Sequence, residues 1–202
     1  MRFAVMASGC GSNFQALIDA RTGGELLNVE LVQLIVNKRE AQAIARAEEA
    51  GIPWKFIDSE AMSRAEFDQR ALTVLHECGT EAVVLAGFMR LLTPVFISTF
   101  RHHILNIHPA LLPNFPGAHA HRDVLAAGVN ESGCSAHLVD EGIDTGPIIL
   151  QQSVEVLPDD TEESLAARIL PHEHRLLPEA VRLLAAGRLK VDGSIVRILP
   201  KK

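Results

Sequence analysis

Tyrosine is absent from this chain and tryptophan occurs once, at Trp54, which leaves little from which to build a base-stacking surface. Basic side chains are in the minority: 19 Lys and Arg against 25 Asp and Glu give a net charge of −6 with histidine neutral. Non-specific nucleic-acid binding needs a basic stripe to displace phosphate counterions, so no nucleic-acid partner is expected. Nothing approaches the roughly 20 continuous apolar residues that span a bilayer, and no membrane partner is expected either. Met1 to Val5 leads straight into a strand-like run, without the basic region, apolar core and cleavage site of a secretory signal. Cysteine is sparse: Cys10, Cys78 and Cys134 are odd in number, scattered, and lack metal-ligand spacing. Both features point to a reducing, cytoplasmic location. Histidines cluster at His102-His103, His119-x-His121 and His172-x-His174, but no cysteines or close carboxylates complete a tetrahedral set, so no metal is expected. With no repeat, low-complexity tract or linker, residues 1–202 are expected to form a single domain.

Short apolar runs alternate with helical patterns. Arg2 to Ala7 precedes a glycine loop and a helix through Phe14, Leu17 and Ile18. Val29 to Val36 is a second strand, Ala41 to Ala50 a helix stopped by Gly51 and Pro53, and Trp54 to Ile57 a short third strand. Ser63 with Glu66 forms a capping box, Ala82 to Ala86 has the continuous apolar character of a parallel strand, and Pro94 opens a short helix. The second half changes character. Asp123 to Ala127 is helical, and Cys134 to Val139 and Ile148 to Val156 are strands joined so closely that they must pair antiparallel. Thr161 with Ser164 opens a long helix stopped by Gly187, with kinks or a delayed start expected at Pro171 and Pro178. Asp192-Gly193 marks a final hairpin. The fold class is therefore α/β: a Rossmann-like parallel sheet in the N-terminal half (1–100), continuing into a mixed sheet with antiparallel strands in the C-terminal half (101–202), with helices on both faces.

Chemistry concentrates in ILNIHPALLPNFPGAHAHR, from Ile104 to Arg122. Asn106 and His108 are separated by one residue, so on a strand they project to one face, and Pro109 stops that strand beside them. An amide and an imidazole at the carboxyl end of a strand are donors suited to developing negative charge. Asp144, between Gly142 and Gly146, is by default a turn former; beside His108 it would raise the imidazole pKa and fix its orientation. His137 reads equally as a core histidine or a site residue. The loop Gly9-Cys10-Gly11-Ser12-Asn13, opening the first helix, is a monophosphate cradle. It is not a dinucleotide site, because Phe14 stands where a third glycine is needed and the second strand ends in Asn37-Lys38.

Four stretches together, SGCGSNFQALIDA, VVLAGFMRLLTP, LNIHPALLPNFPGAHAHR and GCSAHLVDEGIDTGPIILQ, resemble the folate-dependent formyltransferases over nearly the whole chain. The GSN loop is similar to that of the branch acting on glycinamide ribonucleotide. The resemblance implies formyl transfer from 10-formyltetrahydrofolate, a co-substrate, to the ribonucleotide amine in purine biosynthesis, without a metal. It implies small-molecule partners only and a monomer or weak homodimer. Asn106, His108 and Asp144 would be catalytic. Gly11, Ser12 and Asn13 would take the phosphate, and Glu173 the other end of that substrate. Arg64, the run Met89, Arg90, Leu91 and Leu92, Asn106, and the apolar walls Ile97 and Ile104 would contact folate. Leu170 departs from the polar or basic residue often found there, which shifts phosphate binding onto the loop amides. A 10-formyltetrahydrofolate hydrolase is the alternative; it would share the trio, use water as acceptor, and usually carry a further N-terminal domain. A methionyl-tRNA formyltransferase would need a basic C-terminal domain, and a non-catalytic binding module would not need the intact trio.

Overall fold

The apolar runs of the first half cannot be buried unless their backbone N–H and C=O groups are paired, and parallel strands with covering helices achieve this. The computed structural model describes residues 1–60 and 62–201. The chain divides into two compact units, Met1–Leu105 and Asn106–Lys202. The first contains β1 (Arg2–Ala7), α1 (Ser12–Thr22), β2 (Glu30–Val36), α2 (Ala43–Glu49), β3 (Trp54–Phe56), α3 (Arg64–Glu77), β4 (Ala82–Leu85) and α4 (Pro94–Thr99). Its strands pair in parallel in the order β3-β2-β1-β4, with Val5 between Leu34 and Val84 and with Leu34 opposite Trp54. β1 and β4 are buried almost throughout, which requires cover on both faces. Phe3, Phe14, Phe67 and Phe96 are fully buried, each contributing about 1.5–3 kcal/mol. From β1 the chain steps outward to β2 and β3, then returns to β4 on the other side. The topological switch point, where open α/β sheets bind ligands, is therefore between β1 and β4.

The boundary between the units falls inside β5 (Ile104–His108), a few residues beyond the division expected from the sequence. The second unit continues with α5 (Ala120–Ala127), β6 (Glu131–Leu138), β7 (Ile148–Glu155), α6 (Glu162–Ala185), β8 (Leu189–Asp192) and β9 (Ile195–Ile198). β6 and β7 are antiparallel, as their short connection requires, β8 and β9 form the expected hairpin, and β9 meets β7 in parallel at Ile195 and Ile148. The first half is thus parallel and the second mixed, the α/β arrangement expected. β6 begins at Glu131 rather than Cys134, because the polar Glu131 and Ser132 pair with Glu155 and Val154; partner strands, not apolarity, set that end.

One expectation is corrected. α6 does not start late: it is helical from Glu162 to Ala185, capped by the reciprocal Thr161–Ser164 bonds, with Pro171 and Pro178 inside it. Leu165, Ile169, Leu177, Val181 and Leu184 form a buried stripe on a helix packed against β6 and β7. That burial offsets the roughly 3 kcal/mol each internal proline costs. Gly187, at φ +62°, follows the helix end.

Gly133 sits in β6 where a Cβ would fall onto the carbonyl oxygen of Gln152 in the facing strand. Gly51 has φ +64° but open space around it. Gly133→Ala is expected to lower the unfolding free energy by about 3 kcal/mol, and Gly51→Ala by only about 1 kcal/mol of backbone strain. Denaturant melts of both variants check the ordering.

Candidate active site

Pro109 has no N–H to continue the ladder, so β5 ends at His108. Asn106 and His108 leave that terminus two residues apart, His108 buried and Asn106 half-buried. Asp144 lies in the loop between β6 and β7 with φ +52°, a left-handed conformation that Asp tolerates. Gly146 explains how the loop returns so tightly, since any Cβ there would collide with the carbonyl oxygen of Leu138.

The structure brings the three sequence-identified residues together. Asp144 Oδ2 lies 3.3 Å from His108 Nδ1 and accepts the Gly117 backbone N–H at 2.8 Å. Its Oδ1 accepts from Asn106 Nδ2 at 3.2 Å and lies 3.5 Å from His137 Nε2. Both N–H groups of Asn106 are thus engaged, because Nδ2 also donates to His137 Nε2 at 3.0 Å. Carbonyls only accept, so the short contacts to them fix the donor atoms of both rings. His137 Nδ1 donates to Leu138 O at 2.8 Å, which leaves Nε2 as the acceptor for Asn106. His108 Nε2 donates to Phe115 O at 2.8 Å. His137, which the sequence left open, therefore lies in contact with the Asn106–Asp144 pair. Its signal was there: Ser135 and His137 alternate along a strand buried from Ser132 onward, where each polar group must find a partner. The contributions of the Phe115 carbonyl and the Gly117 amide, being backbone, carry no residue-type signal.

Ser135 anchors the segment that supplies those backbone groups. Its hydroxyl donates to Ala110 O at 2.6 Å and accepts from Leu112 N at 3.0 Å and Gln151 Nε2 at 2.8 Å. Gln151 Nε2 also donates to Leu112 O at 2.9 Å. The chain leaving β5 is thereby pinned to β6 and β7.

Burial acts on Asp144 to raise its pKa, but His137, a donor when its ring is protonated, the Gly117 amide and the charge of His108 outweigh it and hold the carboxyl at about 2. That shift of nearly two units is worth on the order of 2 kcal/mol. This stability is present above the ordinary carboxyl value of 3.8 and is lost as the pH falls toward 2. For His108 the balance goes the other way. Burial is the largest influence and lowers the pKa, while the Phe115 carbonyl and Asp144 raise it and His137 lowers it; the net direction is down. Asp144 acts with the expected sign but does not overcome desolvation. Folding therefore favours the neutral ring, and His108 opposes folding increasingly as the pH falls below 6.5.

In the first unit, the glycine loop and the Met89–Leu92 run meet at the switch point. Ser8 N donates to Gly87 O at 3.2 Å and Met89 N donates to Ser8 Oγ at 2.8 Å. Gly11 has φ +71° and Ala43 directly beneath it, so a Cβ there would come within 2.7 Å of the Ala43 Cβ. Gly11, Ser12 and Asn13 accordingly form the start of α1, an N-terminus favourable to anions. The Arg90 guanidinium is turned to its own unit, donating to Ser59 O at 2.9 Å and Met62 O at 3.2 Å and lying over the Phe67 ring. Any ligand contact by Arg90 therefore falls to its backbone. Met89 and Leu91 are exposed while Leu92, Ile97 and Ile104 are buried. Arg64 is exposed in the first turn of α3. Glu173, in the second unit, stands on the otherwise apolar buried stripe of α6 at 8% exposure. Its charge helps push the buried Cys134 thiol up to about 12, second to desolvation. Among the described residues no cluster of His, Cys, Asp and Glu is arranged to hold a metal ion, and no helix is long and apolar enough to cross a membrane.

A parallel sheet with a glycine loop at its switch point, and an Asn-x-His strand end converging on a later Asp, define a class. The formyl transferase family matches residues 1–181, and the chain belongs to that family. It is 40% identical over 192 residues to the phosphoribosylglycinamide formyltransferase of Escherichia coli, covering 95% of this chain and 90% of that protein. The crystal structure of glycinamide ribonucleotide transformylase 1 from Symbiobacterium toebii matches with a TM-score of 0.96 at 44% identity, covering 99% of this chain and 94% of that one. The chain is also 45% identical over 202 residues to the trifunctional purine biosynthetic protein adenosine-3 of Drosophila pseudoobscura pseudoobscura, but spans only 15% of its length.

Because Asp144 raises the His108 pKa, Asp144→Asn is expected to move the His108 titration further down. Ring-nitrogen NMR titration should place the wild-type midpoint below 6.5 and that of the variant lower still. An upward shift in the variant would contradict the electrostatic account.

Proposed function

We propose that the protein transfers the formyl group of 10-formyltetrahydrofolate to the amine of glycinamide ribonucleotide, giving formylglycinamide ribonucleotide and tetrahydrofolate in de novo purine biosynthesis. The convergence of Asn106, His108 and His137 on the Asp144 carboxylate carries this reading, with the family membership and the named relatives behind it. The amine nitrogen attacks the formyl carbon and the carbonyl electrons move onto oxygen. Asn106 shifts an N–H from its present acceptors to that oxygen, and the Nε2–H of His108 becomes the second donor by leaving the Phe115 carbonyl. The neutral ring favoured by burial has a lone pair on Nδ1 facing Asp144. A proton released by the amine is received there, stabilised by the carboxylate, and passed through ordered water to the folate nitrogen as its bond to the formyl carbon breaks. His137 is a positioning residue that acts by holding the Asn106 amide.

The amides of Gly11, Ser12 and Asn13 take the ribonucleotide phosphate, and Glu173 contacts the other end of that substrate. Arg64, the backbone from Met89 to Leu92, and the apolar Ile97 and Ile104 serve the folate. The protein works on small molecules as a monomer or weak homodimer in the cytoplasm, in keeping with its three free cysteines. The reaction needs positioning and electrostatics, without a covalent enzyme intermediate or a metal.

His108→Ala and Asp144→Asn are each expected to lower kcat by about 100- to 1,000-fold with KM changed far less. Steady-state assays monitoring tetrahydrofolate release check this. Release that proceeds equally with and without the ribonucleotide would identify a hydrolase instead.

A further inference from the structure

α2 is the element that shapes the glycine loop. Ala43 N donates to Gly9 O at 3.2 Å, and Ala43 packs against Gly11 so closely that no side chain fits between them. Three residues further along α2, Arg46 donates from Nε to Cys10 O at 2.9 Å and from Nη1 to Gln15 Oε1 at 3.1 Å, with Nη2 3.9 Å from Cys10 Sγ. Gln15 belongs to the first turns of α1, where its backbone N–H donates to Gly11 O at 2.9 Å and its side chain donates to Asp19 Oδ1 at 2.8 Å. One planar guanidinium therefore ties the loop before the helix to the helix itself. That fixes the angle at which the Gly11, Ser12 and Asn13 amides emerge.

We infer that Arg46 is the positioning residue of the phosphate loop: its fork bridges Cys10 and Gln15 and holds the loop amides ready for the ribonucleotide phosphate. This rests on the phosphate reading given above. Preorganised amides bind an anion without first ordering the backbone, whereas a loose loop must be ordered at the expense of affinity. Arginine suits the task because a flat fork reaches two acceptors at once. A lysine supplies the same charge at a single point.

The experiment compares wild type, Arg46→Ala and Arg46→Lys in the intact protein with two readouts. Amide hydrogen exchange of residues 11–13 reports how firmly the loop is held. Inorganic phosphate affinity and the KM for the ribonucleotide report what the loop is used for. Faster exchange is expected in both variants, with phosphate affinity weakened and ribonucleotide KM raised about tenfold; kcat and the folate KM should stay within twofold. Unchanged exchange in Arg46→Ala, or full restoration by Arg46→Lys, would overturn the positioning role. Faster exchange in the variants together with a wild type that takes no phosphate would overturn the phosphate reading of the loop instead.

Discussion

Four groups face the Asp144 carboxylate: the Asn106 amide, the His108 and His137 rings, and the Gly117 backbone N–H. A half-buried carboxylate would on its own take up a proton more readily, and these groups reverse that tendency. Local features of the second unit serve the convergence. Pro109 ends a strand so that Asn106 and His108 stand at its tip. Gly146 permits the sharp return that turns Asp144 inward, and Ser135 fixes the chain on its way to Gly117. The result is an anion held by the Asn106 and Gly117 N–H groups, with two imidazoles beside it, before any substrate arrives, the kind of preorganisation from which stabilisation of an oxyanion is built.

The phosphate role proposed for the first unit poses a different problem. A phosphate needs backbone amides held in one arrangement, and backbone amides have no side chain by which to be held. Sheet order supplies part of the solution by ending β1 and β4 next to each other, with Ser8 bridging the two following loops. α2 supplies the rest, through the Ala43–Gly11 contact and the Arg46 fork.

How much of this could be read beforehand varied with the physical origin of each feature. Strands and helices followed from apolar periodicity and capping residues, because those reflect local burial and local hydrogen bonding. The length of α6 followed too, but its prompt start ahead of Pro171 and Pro178 did not, since it depends on packing against β6 that no local window contains. Asn106, His108 and Asp144 were legible as a chemical set, but the protonation balance of His108 was not. Spacing exposes the neighbouring charge and conceals the depth of burial that outweighs it. His137 was visible only as an open choice, and Phe115 and Gly117 not at all, because they act through the main chain that every residue shares.

The Ser135 anchorage divides the chain after β5 into two mechanically different stretches. Ala110 to Leu112 is riveted to neighbouring strands by neutral hydrogen bonds that are indifferent to pH. Phe115 to Gly117 is held instead by titrating partners, His108 and Asp144. Displacing that outer stretch would strip His108 of a carbonyl that favours its charged form and Asp144 of an amide that favours its anion, so both would change their proton affinity. Thermodynamic reciprocity then makes the converse obligatory: protonating Asp144, or deprotonating His108, loosens the outer stretch while the inner one stays fixed. Chain geometry and proton inventory are two coordinates of one equilibrium, pivoting about a single buried hydroxyl.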